Sequence, residues 1–597
     1  MKRVVAALLC AAALGVHCEP LTPTVSPHTG TGSDARKVLR LAIFDIETLD
    51  PQQYAESPSF DVLRAIYEGL YQFDYLAKPP RLTPVTATAL PEVTDGGRTW
   101  TMHVKPGIHF TPYPAFKGHP RELTAEDYVY SLKRWLDPNS KRGGAPITAA
   151  LIVGGREALD EAKKSGRWDL DRHIEGLRAL DRYTLQLKLT EPNYPVIEGY
   201  LTLGAVAREF VEARGGDLRT YAVGTGAYRL KEFKRGSRIV LEANPDYRGR
   251  PFPASGAPGD QALEAAMRGA PFPRIGRIEL EVIEEETARL LEFDRGNLDT
   301  LVLRSDIASR LLEHDALRPE YRARGIGWQR TPEPFTAFVY FNLRDPLVGG
   351  MDAPRVALRR AVGLALDRNN MVDVIYGGQA LPANQLVPPD VVGHDPKIPP
   401  PVHDPAAARA LLDRYGYKRG ADGYRATPDG KPLVLDLMLR SGSISREVQT
   451  LFRKNMDAIG VRTQFTVAPF QDAIKDLVAG HFQMWFGGFG GNPTGQGILA
   501  QLYGKSSPQI NVSQFKMPEY DAALDRFMRT NDPAQQVAAA RTMSDIARAY
   551  APMIPVVFRL ENHFVQPWLL GYRPNRFDTF WQFLDVDLAK RPPSRKP

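Results

Sequence analysis

The chain has 597 residues, 43% of them hydrophobic and 24% charged, an ordinary globular balance. A single hydrophobic core stops growing at about 250–300 residues, so this length predicts two or three lobes. The net charge of +7 is small for the size, and no concentrated basic stripe with aromatic platforms accompanies it, which argues against nucleic-acid binding. Fifty glycines and fifty prolines, spread along the chain, predict many short elements joined by turns and argue against a helical bundle.

The first eighteen residues read as an export leader. Lys2 and Arg3 form its positive start, and Val4 to Val16 is an apolar stretch too short to span a bilayer. Two cleavage readings stand. Cys18, followed by Glu19-Pro20-Leu21, resembles a bacterial lipoprotein processing site in which the cysteine receives the lipid, although His17 stands where that pattern has a small residue. Cleavage after Ala13-Leu14-Gly15 is the other. Cys10 lies within the leader, so the mature chain keeps one cysteine at most and forms no internal disulfide. The expected location is the periplasm, with a membrane anchor if Cys18 is acylated.

Residues 19–37, rich in Pro, Thr, Ser and Gly, read as a flexible tether. Val38 to Ile43 is the first expected strand, and a helix is expected at about 59–67 with Val62, Leu63 and Ile66 on one face. Residues 98–104 alternate, and with the Pro106-Gly107 turn and Ile108-His109-Phe110 they predict a hairpin. His103 and His109 fall on its polar side without a third ligand at a metal-binding spacing. Residues 124–136 predict a helix capped by Thr124 with Asp127, burying Tyr128, Leu132, Trp135 and Leu136 and ended by Pro138. Residues 139–176 read as a polar surface insertion, 183–189 as a strand, 227–242 as a hairpin, and 249–273 as a Pro/Gly-rich loop.

From about residue 335 strands alternate with helices, which argues for partly parallel sheets. Strands are expected at 338–343, 433–439, 461–467, 482–486 and 551–558. Helices are expected at 354–376, ending at Gly377-Gly378, and at 446–459. Strand 482–486 opens into a glycine-rich loop at 487–497.

The sequence carries no HExxH, CxxC or GxSxG. Gly504-Lys505-Ser506 looks like the end of a phosphate-binding loop, but Leu499 stands where its first glycine belongs. The run Gly487 to Gly491 approaches a dinucleotide loop, but its last glycine would fall on Pro493. Glu284 to Glu286 read as a helix start, where carboxylates favour the dipole. No catalytic residue, metal or cofactor is therefore expected.

Six stretches, in order, resemble the bacterial extracellular solute-binding proteins of family 5, the dipeptide- and oligopeptide-binding type. They are Ala65 to Leu70; Asp95 to Thr101 with Pro106 to Phe110; Leu123 to Arg134; Val223 to Tyr228; Ala243 to Tyr247; and Arg359 to Arg368. The resemblance implies an α/β, type II periplasmic-binding-protein-like fold: two lobes that hinge shut on a ligand, with an extra domain set into the first. Carried onto this chain, the first lobe would hold 38–75, 195–335 and 560–597, the extra domain 76–194, and the second lobe 336–559. The implied function is the substrate-binding component of an ABC importer, a monomer that takes a peptide or peptide-like solute to a permease at the inner membrane. An exported sensor or chaperone-like module that docks a protein partner is the alternative.

In peptide-binding relatives the loop after Met484-Trp485-Phe486 carries a glycine, an aromatic residue and an aspartate that pairs with the peptide's ammonium group. Gly488 and Phe489 match, with Gly490 beside them, and Asn492 stands in the aspartate's place. An amide offers hydrogen bonds but no net charge to a buried ammonium, so the match supports solute binding more than free-N-terminus peptide binding. Tyr54, Thr225, Tyr340, Asn342 and Trp485 complete the set of expected ligand contacts.

Overall fold

A computed structural model describes residues 32–592, apart from 55, 140–144, 305, 314, 443, 491, 492 and 576. The leader, Cys18 and most of the expected tether lie outside the described residues. Three sheets organise the chain.

In the first, Asp34–Ile43 runs parallel to Ile275–Val282, which pairs antiparallel with Arg238–Ala243 and, through it, with Tyr228–Lys234. The last pair is the expected hairpin. The first strand begins at Asp34, inside the stretch read as tether, because the backbone N–H groups of Gly32 and Asp34 already bond to the carbonyls of Pro271 and Arg274. Leu39, Leu41, Ile278 and Leu280 bury against the helix Ser57–Ile66.

The second sheet has the order Glu92–Thr94, Thr99–His103, Thr184–Lys188, Leu177–Ala179. The expected return of 108–110 onto 98–104 does not occur. Both edges of Thr99–His103 are already taken, so 108–110 pairs with 121–123 instead. The helix Ala125–Trp135 is capped as expected: the backbone N–H of Thr124 donates to Asp127 Oδ2 at 2.8 Å, and Arg121 locks the same carboxylate at 2.7 Å. The polar insertion is more than surface. It forms helices Ala145–Leu151 and Gly155–Ser165, and Ala149, Ala158 and Leu159 are buried among its charges.

The third sheet has seven strands, in the order Thr300–Leu303, Met553–Val565, Gly327–Phe341, Met484–Gly490, Val434–Arg440, Arg462–Ala468, with Ala380–Pro382 beside Met553–Val565. Two of these strands are long, 15 and 13 residues. Gly327–Pro332 pairs with Leu560–Val565, and Thr336–Tyr340 with Met553–Phe558, and the register slips between Pro332 and Thr336. Before the slip they pack with Phe293, Leu301 and Phe564; after it, with Leu437, Val556 and Phe452 on one face and Leu499 and Phe527 on the other. These strands therefore cross from one core to another. Only their apolar halves, 338–343 and 551–558, were expected from sequence. Residues 329–332 take strand form through pairing with Leu560–His563.

Helix 354–376 is two helices, Ala353–Ala365 and Arg368–Tyr376. Leu366 is extended, and the Asp367 side chain accepts from Asn370 N at 3.1 Å, which starts a new helix in mid-pattern. Arg359 is wholly buried; its guanidinium donates to the carbonyls of Val348, Gly350 and Tyr550 at 2.7–3.1 Å and so ties a loop to a helix end. Replacing it with methionine strands three buried carbonyls. Arg359→Met is expected to cost about 2–4 kcal/mol in urea unfolding, with little change in slope.

Candidate functional site

The crossover strands bring two surfaces face to face on either side of their register slip. A narrow space of about 40 Å³ lies there, lined by Tyr75, Lys78, Thr331, Asp390, Asn575 and Phe577 among others. Lys78 reaches across to Asp390 at 2.9 Å. The loop bearing Asp390 is fastened to the segment after Gly490, since Val392 N donates to Pro493 O at 3.1 Å. The segment that follows the glycine-rich strand end is thereby tied to the loop that lines this cleft.

That strand end is shaped by what glycine leaves out. The expected loop is strand as far as Gly490, paired with Phe335–Phe341. A Cβ on Gly487 would lie 2.2 Å from the Trp485 ring, and one on Gly488 would lie 2.0 Å from the Phe335 ring. Each glycine is a seat for a neighbouring aromatic ring. Trp485 also stacks on Tyr340, centroids 5.8 Å apart and planes 22° apart. Phe489 is half-buried, and Gly490 is exposed with open space where a side chain would be. Gly491 and Asn492 lie outside the described residues.

The other expected contacts divide. Tyr54 is half-buried against Phe60 and lines a space of about 290 Å³ with Arg64 and Thr202. Thr225, Tyr340 and Asn342 are buried with their polar atoms committed. Thr225 Oγ1 donates to Glu68 Oε2 at 3.1 Å, and Tyr340 OH donates to Gln501 Oε1 at 2.7 Å. Asn342 Nδ2 donates to the carbonyls of Gly480 and Phe482 at 3.0 and 2.8 Å, and its Oδ1 accepts from Arg344 N. The polar atoms of these three are engaged within the protein. The glycines around Thr225 serve packing: Gly226 N donates to Ile66 O at 2.8 Å, and a Cβ on Gly224 would lie 2.1 Å from the same oxygen.

Charges next to the cleft went unread in the sequence. Arg64 lines the Tyr54 space and a neighbouring one of about 340 Å³. Burial opposes its charge, but Asp578, bonded to Arg64 Nε at 2.6 Å, outweighs this and raises its pKa. Glu68 is likewise buried, yet two bonds from Arg248 at 2.8 Å and one from Tyr247 OH hold its carboxyl below the usual range. The pair Arg64–Asp578 spans 514 residues, so no local pattern signals it. On the helix Tyr194–Leu201, whose C-cap carbonyl at Thr202 accepts from Arg64, burial pushes Glu198 up to about 7.

At the slip itself, Glu333 is 3% exposed and Glu561 fully buried. Arg304 Nε lies 2.6 Å from Glu333 and also pairs with Glu561; Arg559 lies 2.5 Å from Glu333, and His563 Nε2 3.5 Å from Glu561. Burial opposes the Arg304 charge, but the two glutamates outweigh it and raise its pKa.

The family model described as bacterial extracellular solute-binding proteins, family 5, middle, matches residues 81–509. Di/tripeptide-binding protein 2 of Pseudomonas aeruginosa is 24% identical over 546 residues, covering 88% of this chain and 90% of that protein. Among solved structures, the Escherichia coli murein tripeptide binding protein MppA superposes with a TM-score of 0.65 at 22% identity, covering 93% of this chain and 99% of that one. The ABC transporter-associated periplasmic binding protein DppA from Helicobacter pylori, in complex with a peptide, gives 0.65 at 18% identity, covering 92% and 98%. These structures share the type II periplasmic-binding-protein fold.

Removing Arg304 leaves two buried carboxylates short of a cation. Arg304→Met is expected to lower unfolding stability by about 3–5 kcal/mol in denaturant melts. Glu198, with a folded pKa above its unfolded value of 4.5, binds more protons folded than unfolded. Stability therefore falls as pH rises from about 4.5 to about 7 through this group, and Glu198→Gln is expected to flatten that part of the stability–pH curve.

Proposed function

Since this chain belongs to the bacterial extracellular solute-binding proteins of family 5, we propose that it captures a peptide or peptide-like solute in the cleft at its crossover strands and delivers it to an ABC permease. The carrying observation is the cleft's placement across two strands that join separate cores. That arrangement suits closure by hinging, in which a few residues absorb the change. The register slip between Pro332 and Thr336 supports dividing the chain into a first lobe of 38–75, 195–335 and 560–597 and a second of 336–559, with 76–194 as the inserted domain.

Tyr54, Trp485, Gly488, Phe489 and Gly490 form our proposed contact set, with Asn492 completing the loop. The bare glycine backbone offers amide and carbonyl groups to a peptide, and Phe489 offers a ring. With an amide at Asn492, a ligand ammonium would find no formal charge there, which favours cargo whose amino end is blocked or absent. Among the described residues no helix is long and apolar enough to cross a membrane. We place the mature protein in the periplasm, as a non-enzymatic monomer, anchored where Cys18 is acylated.

A thermal-shift panel of di- to pentapeptides, N-acetylated and free, checks this reading. A fitting ligand at a hundred times its Kd stabilises by about 2.7 kcal/mol, and small-angle scattering should show contraction on binding. A panel that gives neither shift nor contraction refutes it. Phe489→Ala is expected to weaken the best ligand about tenfold or more while leaving the apo melting temperature within a few degrees.

A further inference from the structure

A second groove lies away from the slip, within the body of residues 336–559. It holds a cavity of about 320 Å³ between the helices Ala353–Ala365 and Pro533–Tyr550, the start of the strand Met553–Val565 and the proline run Pro399-Pro400-Pro401. Met553 pairs with Tyr340, four residues past Thr336, so this end of the sheet lies about 13 Å from the slip at the usual strand rise. Nothing in the peptide-binding reading uses this groove.

Its charges are one-sided. Arg360, Arg368 and Arg548 line it, and no aspartate or glutamate does. Arg368 is 8% exposed. Its Nε donates to Pro555 O at 3.0 Å and its Nη1 to Gly363 O at 3.1 Å. These carbonyls orient the guanidinium without neutralising it, and burial alone lowers its pKa to about 10. Ser544 in the same lining is also 8% exposed, and its hydroxyl makes no hydrogen bond. Arg360 and Arg548 stand exposed on the rim, Arg548 paired with Asp545 one turn back. The rest of the wall is largely aliphatic: Leu364, Val402, Ala547, Ile554 and the prolines.

A buried cation without a counter-charge favours an anion beside it, and a planar guanidinium pairs with a carboxylate through two parallel hydrogen bonds. Aliphatic wall next to that head group suits an apolar chain. We propose that this groove binds a small amphipathic carboxylate, with its head on Arg368 and Ser544 and its chain along the proline wall. Arg360 and Arg548 draw the anion in from the rim.

Titration calorimetry of the full chain with octanoate tests this, with octylamine and acetate as controls. Octanoate is expected to bind one to one, with acetate much weaker and octylamine silent. The double variant Arg360→Glu, Arg548→Glu changes only exposed side chains and is expected to weaken octanoate about tenfold or more. Arg368→Met, if its melt stays cooperative, is expected to abolish binding. Phe489→Ala should leave octanoate affinity unchanged, which separates this groove from the cleft. The proposal is overturned by no heat at millimolar octanoate, by octylamine binding as tightly, by undiminished binding in the double variant, or by loss of octanoate binding in Phe489→Ala.

Discussion

Two strands, Gly327–Phe341 and Met553–Val565, carry the chain from one core to the other, and everything else hangs on their shared register slip. On either side of the slip they pair antiparallel and are locked into hydrophobic packing, with a second irregularity between Ala337 and Phe338. At the slip the ladder is interrupted, and Glu333 and Glu561 are buried among Arg304, Arg559 and His563. A buried ion network adds little net stability over apolar packing, but breaking it is costly because its charges cannot be left alone. It therefore fixes which residues meet at the crossover while hydrophobic packing is kept to either side.

The cleft follows from that geometry. The strand Met484–Gly490 depends on glycines that have no room for a side chain: Trp485 folds over Gly487, and Phe335 over Gly488. Arg559 in turn sits over the Phe335 ring, its guanidinium carbon 3.6 Å from the centroid, so the hinge charges and the glycine strand share one contact. The neighbouring spaces beside Tyr67 are held by Arg64–Asp578 and Glu68–Arg248, pairs whose burial would be unfavourable without their partners.

Much of the fold was legible locally. The Thr124–Asp127 cap, the 227–242 hairpin and the strands at 434–440 and 462–468 are short-range patterns in which each residue's neighbours state the answer. The errors share a cause. Residues 108–110 lost their expected partner because two other strands occupied both edges. The loop expected from Gly487 is strand as far as Gly490 because it pairs with Phe335–Phe338. The long helix broke at Leu366 because Asp367 caps a new one, a choice the apolar periodicity does not encode.

The candidate site divides in the same way. Gly488, Phe489 and Gly490 are recognisable as a glycine–aromatic pattern, and with the ordered family stretches they establish by sequence alone what kind of protein this is. Thr225, Tyr340 and Asn342 have suitable side chains, yet tertiary packing assigned their polar atoms to Glu68, Gln501 and two backbone carbonyls. The sequence by itself determined the family, the alternation of strands and helices, and most local caps and turns, because these depend on residues a few positions apart. Only the tertiary structure decided which polar groups are spent internally, where the two bodies meet, and that Arg368 faces a groove with no counter-charge. Those outcomes depend on partners tens to hundreds of residues away, and burial sets their energetics.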